Sequence, residues 1–345
     1  MKILIGVDNH FQGYGGPFTA ISEKLDYLEK SNIKFKLIYE SNSKFLFRYN
    51  LEEILEDIDI VHIYGLWRPF IFRLFHKAKK LKKKIITSPI GALEPWSLNQ
   101  KKLKKKIAWH LYQKKMLDNS DYIHATCEEE KNNIRQIGLK NKIIVLPHGI
   151  STKQEKINKN KNTKKKMIFF SRIHAKKGLL ELIEAWKEVK NKKDWILEIY
   201  GPVSDENYFN KAFKAIKINN LSNEIKILNP IYKTEEKNKI FENSDCFILP
   251  SKSENFGISI GEALSFGLPV LTTTATPWKL INDYNAGFVF DLSKKNLLFY
   301  LEKFFSLNDE TLKTMSLNAK NLINEKFEKN KVYQDYINFY KSITR

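Results

Sequence analysis

Twelve short runs rich in β-branched and aromatic residues alternate with longer stretches of helical spacing along this chain. That rhythm confines it to parallel sheets wrapped by helices, because consecutive parallel strands need a crossover. "KILIGVD", "FKLIY", "DIVHIY", "KIITS", "YIHAT" and "KIIVL" lie in the first half; "MIFFS", "WILEIY", "EIKIL", "CFILP", "PVLTT" and "GFVF" lie in the second. Between them, residues 151–166, mostly "KQEKINKNKNTKKK", carry almost no apolar side chain and read as a solvated linker. The pattern predicts an α/β protein of two doubly wound domains, residues 1–150 and 167–326, facing a cleft, with a last helix in 327–345.

A length of 345 residues suits two domains of about 150 each, and 42% hydrophobic residues are enough for a core in both. Cys127 and Cys246 lie far apart and have no metal-ligand spacing, which points to a reducing cytosol. "MKILIGVDNH" passes directly from a short apolar run into polar residues, as a first strand would and a signal peptide would not. No apolar run reaches the roughly 18 residues of a membrane span, so a cytoplasmic protein is expected. Lys+Arg 59 against Asp+Glu 39 leaves a net charge of +20, which suits a polyanionic partner such as nucleic acid or anionic lipid. The lysines are scattered over both halves without a recognised nucleic-acid module, so no nucleic acid partner is expected and only local lysine clusters inform.

Two loops carry the chemistry. In "SKSENFGISIGEAL" (251–264), Glu254 and Glu262 flank a Phe-Gly between the strand "CFILPS" and an apolar helical pattern that stops at Gly267. Glycine there lets backbone approach a ligand, and the free N–H groups of a helix start attract anions. In "FFSRIHAKKG" (169–178), Arg172 follows a strand and Lys177 comes five residues later, so two cations can converge on a phosphate. Near the start, "GYGGPFTAI" places Gly13, Gly15 and Gly16 between strand and helix. It lacks the dinucleotide fingerprint and its acidic partner, which argues against a dehydrogenase.

These residues resemble the retaining nucleotide-sugar glycosyltransferases of the GT-B fold, family four, of the bacterial surface-polysaccharide type. The likeness runs through Gly15-Gly16, "GALEPWSLNQ" (91–100), "SRIHAKKG", "YGP" (200–202) and above all "LPSKSENFGISIGEALSFGLPV" (249–270). It implies two Rossmann-like domains, the first on the acceptor side and the second binding the nucleotide sugar. It implies transfer of a hexose, with retention, from a nucleoside-diphosphate sugar to a glycan or lipid-linked acceptor in polysaccharide or lipopolysaccharide synthesis. By resemblance, Arg172, Lys177 and Glu254 are the catalytic set: the two cations bind the donor diphosphate and Glu254 meets the sugar hydroxyls. Glu262 takes the ribose, and Gly15, Gly16, Gly91, Gly201, Asn255, Phe256, Gly257 and Ile258 complete the donor site. No cofactor and no metal are implied, and no Asp-x-Asp metal motif is evident. The departing phosphate itself accepts the acceptor's proton. Many relatives carry a His-Gly where this chain has Ile90-Gly91; His124 and His148 read instead as core or loop histidines. A nucleotide-sugar epimerase of the same fold and a basic nucleic-acid-binding protein are the alternatives at this stage.

Two helices complete the reading. The segment "NQKKLKKKIAWHLYQKKML" (99–117) is the densest lysine cluster on an apolar pattern. Leu103, Ile107 and Leu111 are expected to pack on the first sheet, with Lys101, Lys102, Lys105, Trp109, Tyr112 and Met116 facing an anionic membrane on its inner side. The helix in 327–343 is expected to bury Val332, Tyr336, Phe339 and Tyr340, and by resemblance it returns to the first domain.

Overall fold

The computed structural model describes residues 1–8, 16–39, 50–152, 164–192 and 195–344, with backbone alone for 16–20. All twelve runs are strands. The first unit comprises Met1–Gly149 and Lys329–Arg345, and the second Ile150–Glu328. In the first, β1 (Lys2–Val7), β2 (Lys34–Tyr39), β3 (Ile60–Tyr64), β4 (Lys84–Ser88), β5 (Tyr122–Ala125) and β6 (Lys142–Val145) form a parallel sheet ordered β2-β1-β3-β4-β5-β6. In the second, β7 (Lys165–Phe170), β8 (Trp195–Tyr200), β9 (Ile225–Leu228), β10 (Cys246–Leu249), β11 (Val270–Thr273) and β12 (Gly287–Phe290) form another, ordered β12-β11-β10-β7-β8-β9. β7 begins at Lys165, inside the stretch read as linker, and residues 153–163 lie outside the described set.

Strand order reverses at β1/β3 and at β7/β10, and there the loops leaving the carboxyl ends diverge and open a crevice. The central strands are buried on both faces, which is why β3, β10 and β11 read as near-continuous apolar runs. Edge strand β2 instead exposes Lys34 and Lys36, a charge pattern that discourages further strand pairing. Helices cover the sheets with apolar stripes: Leu179, Leu182, Ile183 and Trp186 are the buried side of Leu179–Glu188. Asp205 caps Glu206–Ile218 by accepting from Tyr208 N at 3.0 Å, and Asn308 caps Asp309–Lys326 from Thr311 N at 2.8 Å. Each such cap contributes about 1 kcal/mol.

The last helix, Lys329–Ile343, packs within the first unit through Val332, Tyr333, Tyr336, Ile337 and Tyr340, with Phe339 half-buried. Its hydroxyls reach the strands: Tyr340 Oη lies 2.7 Å from His62 Nδ1, and Tyr336 Oη 3.0 Å from His124 Nε2. Ser88 Oγ joins the two histidines, at 2.7 Å from His62 Nε2 and 2.6 Å from His124 Nδ1. His124 and His148 are both buried, as the sequence suggested. Lys24 is sealed into the same core, its ammonium bonded to Tyr64 Oη and 4.9 Å from the centre of the Tyr336 ring. Burial pushes its pKa down to about 7.

Segment 99–117 departs from expectation. It is broken at Lys101, whose φ is 51°, and then runs as Lys102–Ala108, a π-helical turn Trp109–Gln113, and Lys114–Asp118. The buried side is the reverse of the one expected. Met116 and Leu117 are in the core, Trp109 packs against it, and the Tyr112 ring lies 5.2 Å from that of Phe72. Gln113 Oε1 accepts from Trp67 N at 2.9 Å. Lys105 also turns inward, donating to Ser97 O at 2.6 Å. Leu103, Ile107 and Leu111 are exposed at 72%, 53% and 74%. Trp109 and Tyr112 meet Trp67 and Phe72 on that side, and Met116 and Leu117 enter the core beside them.

Candidate active site

The β7/β10 reversal in the second unit brings both chemistry-bearing loops together. After β7 the backbone of Ile173 pairs with Val203, and a single 3-10 turn, Ala175–Lys177, carries two lysines. His174 caps that turn by accepting from Lys176 N at 3.1 Å. Gly178 then starts the next helix at φ +74°, and a Cβ there would come within 2.0 Å of Pro250 O at the end of β10. Only glycine allows that approach. Lys252 N donates to Lys176 O at 2.8 Å, which ties the loop after β10 to the loop after β7.

At this junction Lys177 Nζ donates to Glu254 Oε1 at 2.5 Å, and Ser251 Oγ donates to the same oxygen at 2.5 Å. Burial works against the Glu254 charge, but Lys177 beside it and the hydrogen bonds from Lys177 and Ser251 outweigh burial and hold its carboxyl below the usual range. Arg172 is exposed and forms no ion pair among the described residues. His174 senses the clustered cations: burial first, then Arg172, Lys177 and Lys176, lower its pKa against the opposing Asp205.

The loop continues through Asn255 and Phe256 into the helix Ile258–Ser265. Phe256 is an anchor, buried with its ring 5.3 Å from Trp278, whose Nε1 donates to Phe256 O at 2.5 Å. Gly257 stands at the helix start with φ +77°, and no side chain caps the helix there. The N–H of Ile258 is thus available to an anion, while that of Ile260 already donates to Gly257 O at 2.9 Å. Glu262, one turn on, is paired with the Lys237 ammonium from Thr234–Glu242. Gly201 follows β8, against the carbonyl of Ser171.

So Arg172, Lys177, Gly201, Glu254, Asn255, Phe256, Gly257, Ile258 and Glu262 all lie along the carboxyl edge of one sheet. Gly16 and Gly91 belong to the first unit, and Gly15 lies outside the described residues. Gly16 opens the helix Gly16–Lys30 after β1. Gly91 follows β4; its N–H donates to the buried Glu130 Oε1 at 2.8 Å, and Ile90 before it has φ +47°, a rare conformation for a β-branched side chain. The chain does hold one Asp-x-Asp, Asp57-Ile58-Asp59, but it braces the first strand: Lys2 Nζ donates to Asp57 at 2.9 Å and Lys2 N to Asp59 at 2.8 Å. Sequence reasoning missed Ser251 and Lys237. Ser251 stands three residues before Glu254 in the quoted motif, whereas nothing separates Lys237 from the surrounding charged helix.

Comparison with known proteins bears on the family and the fold. A family model described as "Glycosyl transferases group 1" matches residues 150–322, and one described as "Glycosyltransferase Family 4" matches residues 18–154. An uncharacterized 41.2 kDa protein in the cps region of Klebsiella pneumoniae is 24% identical over 303 residues, covering 82% of this chain and 79% of that one. An uncharacterized glycosyltransferase of Haemophilus influenzae is 27% identical over 175 residues, 49% of this chain and 47% of that protein, so the match spans about half of each. Among solved structures, Anabaena HepE in complex with UDP and glucose superposes with a TM-score of 0.78 at 14% identity, over 99% of this chain and 100% of that one. WaaG, a glycosyltransferase involved in lipopolysaccharide biosynthesis, gives 0.71 at 13% identity, over 97% and 98%. At such identities the structures establish a shared GT-B fold. With one family model on each half and the fold of both units in agreement, the chain belongs to the group 1, family four glycosyltransferases.

Proposed function

We propose that this glycosyltransferase moves a hexose, with retention, from a nucleoside-diphosphate sugar to a glycan or glycolipid acceptor during surface-polysaccharide or lipopolysaccharide synthesis. The observation that carries this reading is the buried Lys177–Glu254 pair, which ties the cation-bearing loop after β7 to the loop that leads into the uncapped helix Ile258–Ser265. Sugar transfer from a diphosphate builds negative charge on the leaving group. Fixed cations and oriented N–H groups stabilise that charge without reorganising.

In this reading the second unit holds the donor. Arg172 and Lys177 bind the diphosphate, helped by the backbone of Asn255, Phe256, Gly257 and Ile258. Glu254, charged and anchored by Ser251, accepts from the sugar hydroxyls, and Glu262 accepts from the ribose. Gly201 leaves room beside the nucleotide. The first unit takes the acceptor. The departing phosphate accepts the proton of the attacking hydroxyl, so no protein nucleophile, cofactor or metal is needed. The HepE complex with UDP and glucose supports a uridine diphosphate sugar as the first donor to try, and the cps-region relative and WaaG support a surface-glycan acceptor.

The test is diphosphate release from a panel of nucleotide sugars with and without glycan and lipid-linked acceptors, followed by the anomeric configuration of the product. Acceptor-dependent release, retained configuration and indifference to EDTA are expected. Inverted product, a strict metal requirement, or sugar epimerisation without any acceptor would overturn the reading.

A further inference from the structure

We infer that Trp278 is a positioning residue for the nucleotide-sugar donor: from the loop after β11 it fixes the backbone at Phe256 and Gly257, where the donor diphosphate is proposed to sit. β11 pairs with β10 in the second sheet, so the loops leaving their carboxyl ends run side by side. Residues 273–278 bond to residues 251–256 at successive points. Thr273 Oγ1 donates to Ser251 O at 2.5 Å, Glu254 N donates to Ala275 O at 3.0 Å, and Trp278 Nε1 donates to Phe256 O at 2.5 Å. Thr276 Oγ1 closes the turn between them by donating to Thr273 O at 2.9 Å. The loop after β11 is therefore a splint laid along the Glu254 loop.

Trp278 carries the far end of that splint. Its side chain is 1% exposed, so it acts on a donor only through the backbone it holds. The indole lies against the inner side of the helix Ile258–Ser265. A Cβ on Gly257 would come within 3.3 Å of Trp278 Nε1, and a Cβ on Gly261, one turn on, within 3.0 Å of Trp278 Cη2. Glycine inside a helix is destabilising by itself, and here it is what admits the ring. On its other side the indole is backed by Phe327, with ring centres 4.9 Å apart, while Ile150 fills the space beside Gly261. Ile150 N donates to Phe327 O at 2.7 Å, so the first residue of the second unit and its last but one are tied together behind the Trp278 seat. With Phe256 O held and Gly257 fixed at φ +77°, the N–H of Ile258 has one direction before any donor arrives.

The role rests on the proposed donor site, and nucleotide binding separates the two. The experiment is calorimetric titration of the full chain with UDP, GDP and ADP, the tightest of the three then being titrated into the variants. Trp278→Phe keeps a ring and removes the N–H; it should bind that nucleotide roughly three- to tenfold more weakly, the worth of one hydrogen bond. In hydrogen exchange without nucleotide, the amides of 251–258 should lose protection in this variant and regain it at saturating nucleotide. Thr273→Val removes the first bond of the splint at nearly constant shape and should move both readouts the same way. Trp186→Phe is the matched control: it takes the same N–H from a fully buried indole of the same unit, bonded to Glu224 Oε2 at 3.0 Å, and should lower the melting temperature without moving nucleotide affinity. Unchanged affinity in Trp278→Phe, or in Thr273→Val should Trp278→Phe not fold, would overturn the positioning role and leave the donor site standing. So would an equal loss of affinity in Trp186→Phe. Failure of the parent to bind any of the three nucleotides would overturn the donor site and the role with it.

Discussion

Lys177 Nζ donates to Glu254 Oε1 at 2.5 Å, joining residues 77 positions apart across the point where the second sheet reverses its strand order. The two side chains are 12% and 9% exposed, so each is the other's main compensation for leaving water. Arg172, by contrast, sits exposed a few residues away. The cations of one loop therefore answer mutation differently.

Arg172→Ala should leave the melting temperature unchanged and lower kcat/KM ten- to a hundredfold, the worth of a charge-assisted hydrogen bond at about 1.5–3 kcal/mol. Lys177→Ala should lose activity and also about 3 kcal/mol of stability, because Glu254 is left buried without its cation. Denaturant titration checks both, and the double variant Lys177→Ala, Glu254→Ala should recover part of the stability. If Lys177→Ala were as stable as the parent, the pair would carry no structural weight.

Acid should act through Glu254. Its folded pKa lies below the unfolded value, so it contributes stability at pH above about 4.5, and that contribution disappears as pH falls through the lower folded value. In melting curves from pH 7 to pH 3, Glu254→Gln should be less stable than the parent at neutral pH and converge with it at the acid end. A constant gap would mean that the carboxylate charge is irrelevant.

Lys24 predicts a rise on the alkaline side. Its pKa is about 7 folded against 10.5 unfolded, so the unfolded chain binds more protons between these values and stability increases with pH there. Lys24→Met should be the more stable protein at pH 6, with the advantage shrinking towards pH 9. Parallel pH profiles for the two proteins would refute the neutral, buried lysine.

Deleting residues 330–345 should unfold or aggregate the first unit, since it strips Val332, Tyr333, Tyr336, Ile337 and Tyr340 from the core and leaves His62 and His124 short of partners. The milder Tyr336→Phe should cost about 1 kcal/mol, one hydrogen-bonded hydroxyl. A truncated chain that melts like the parent would show the helix to be dispensable.

Strand positions and both loops of the candidate site were legible in the residues themselves. A strand buried on both faces, such as "CFIL" or "VLTT", can hardly be written without a continuous apolar run, and a close backbone crossing such as Gly178 against Pro250 leaves a glycine at a fixed place in a motif. These are local demands, met by neighbours in sequence. The Lys177–Glu254 and Lys237–Glu262 pairs, the burial of Lys24, and the orientation of Lys102–Asp118 were decided only by what the fold brings alongside. That helix has apolar groups on both sides, and spacing alone favours the three aliphatic residues as the inner face. Trp67 and Phe72, distant in sequence, receive Trp109 and Tyr112, Met116 and Leu117 enter the core beside them, and the leucines are left outward.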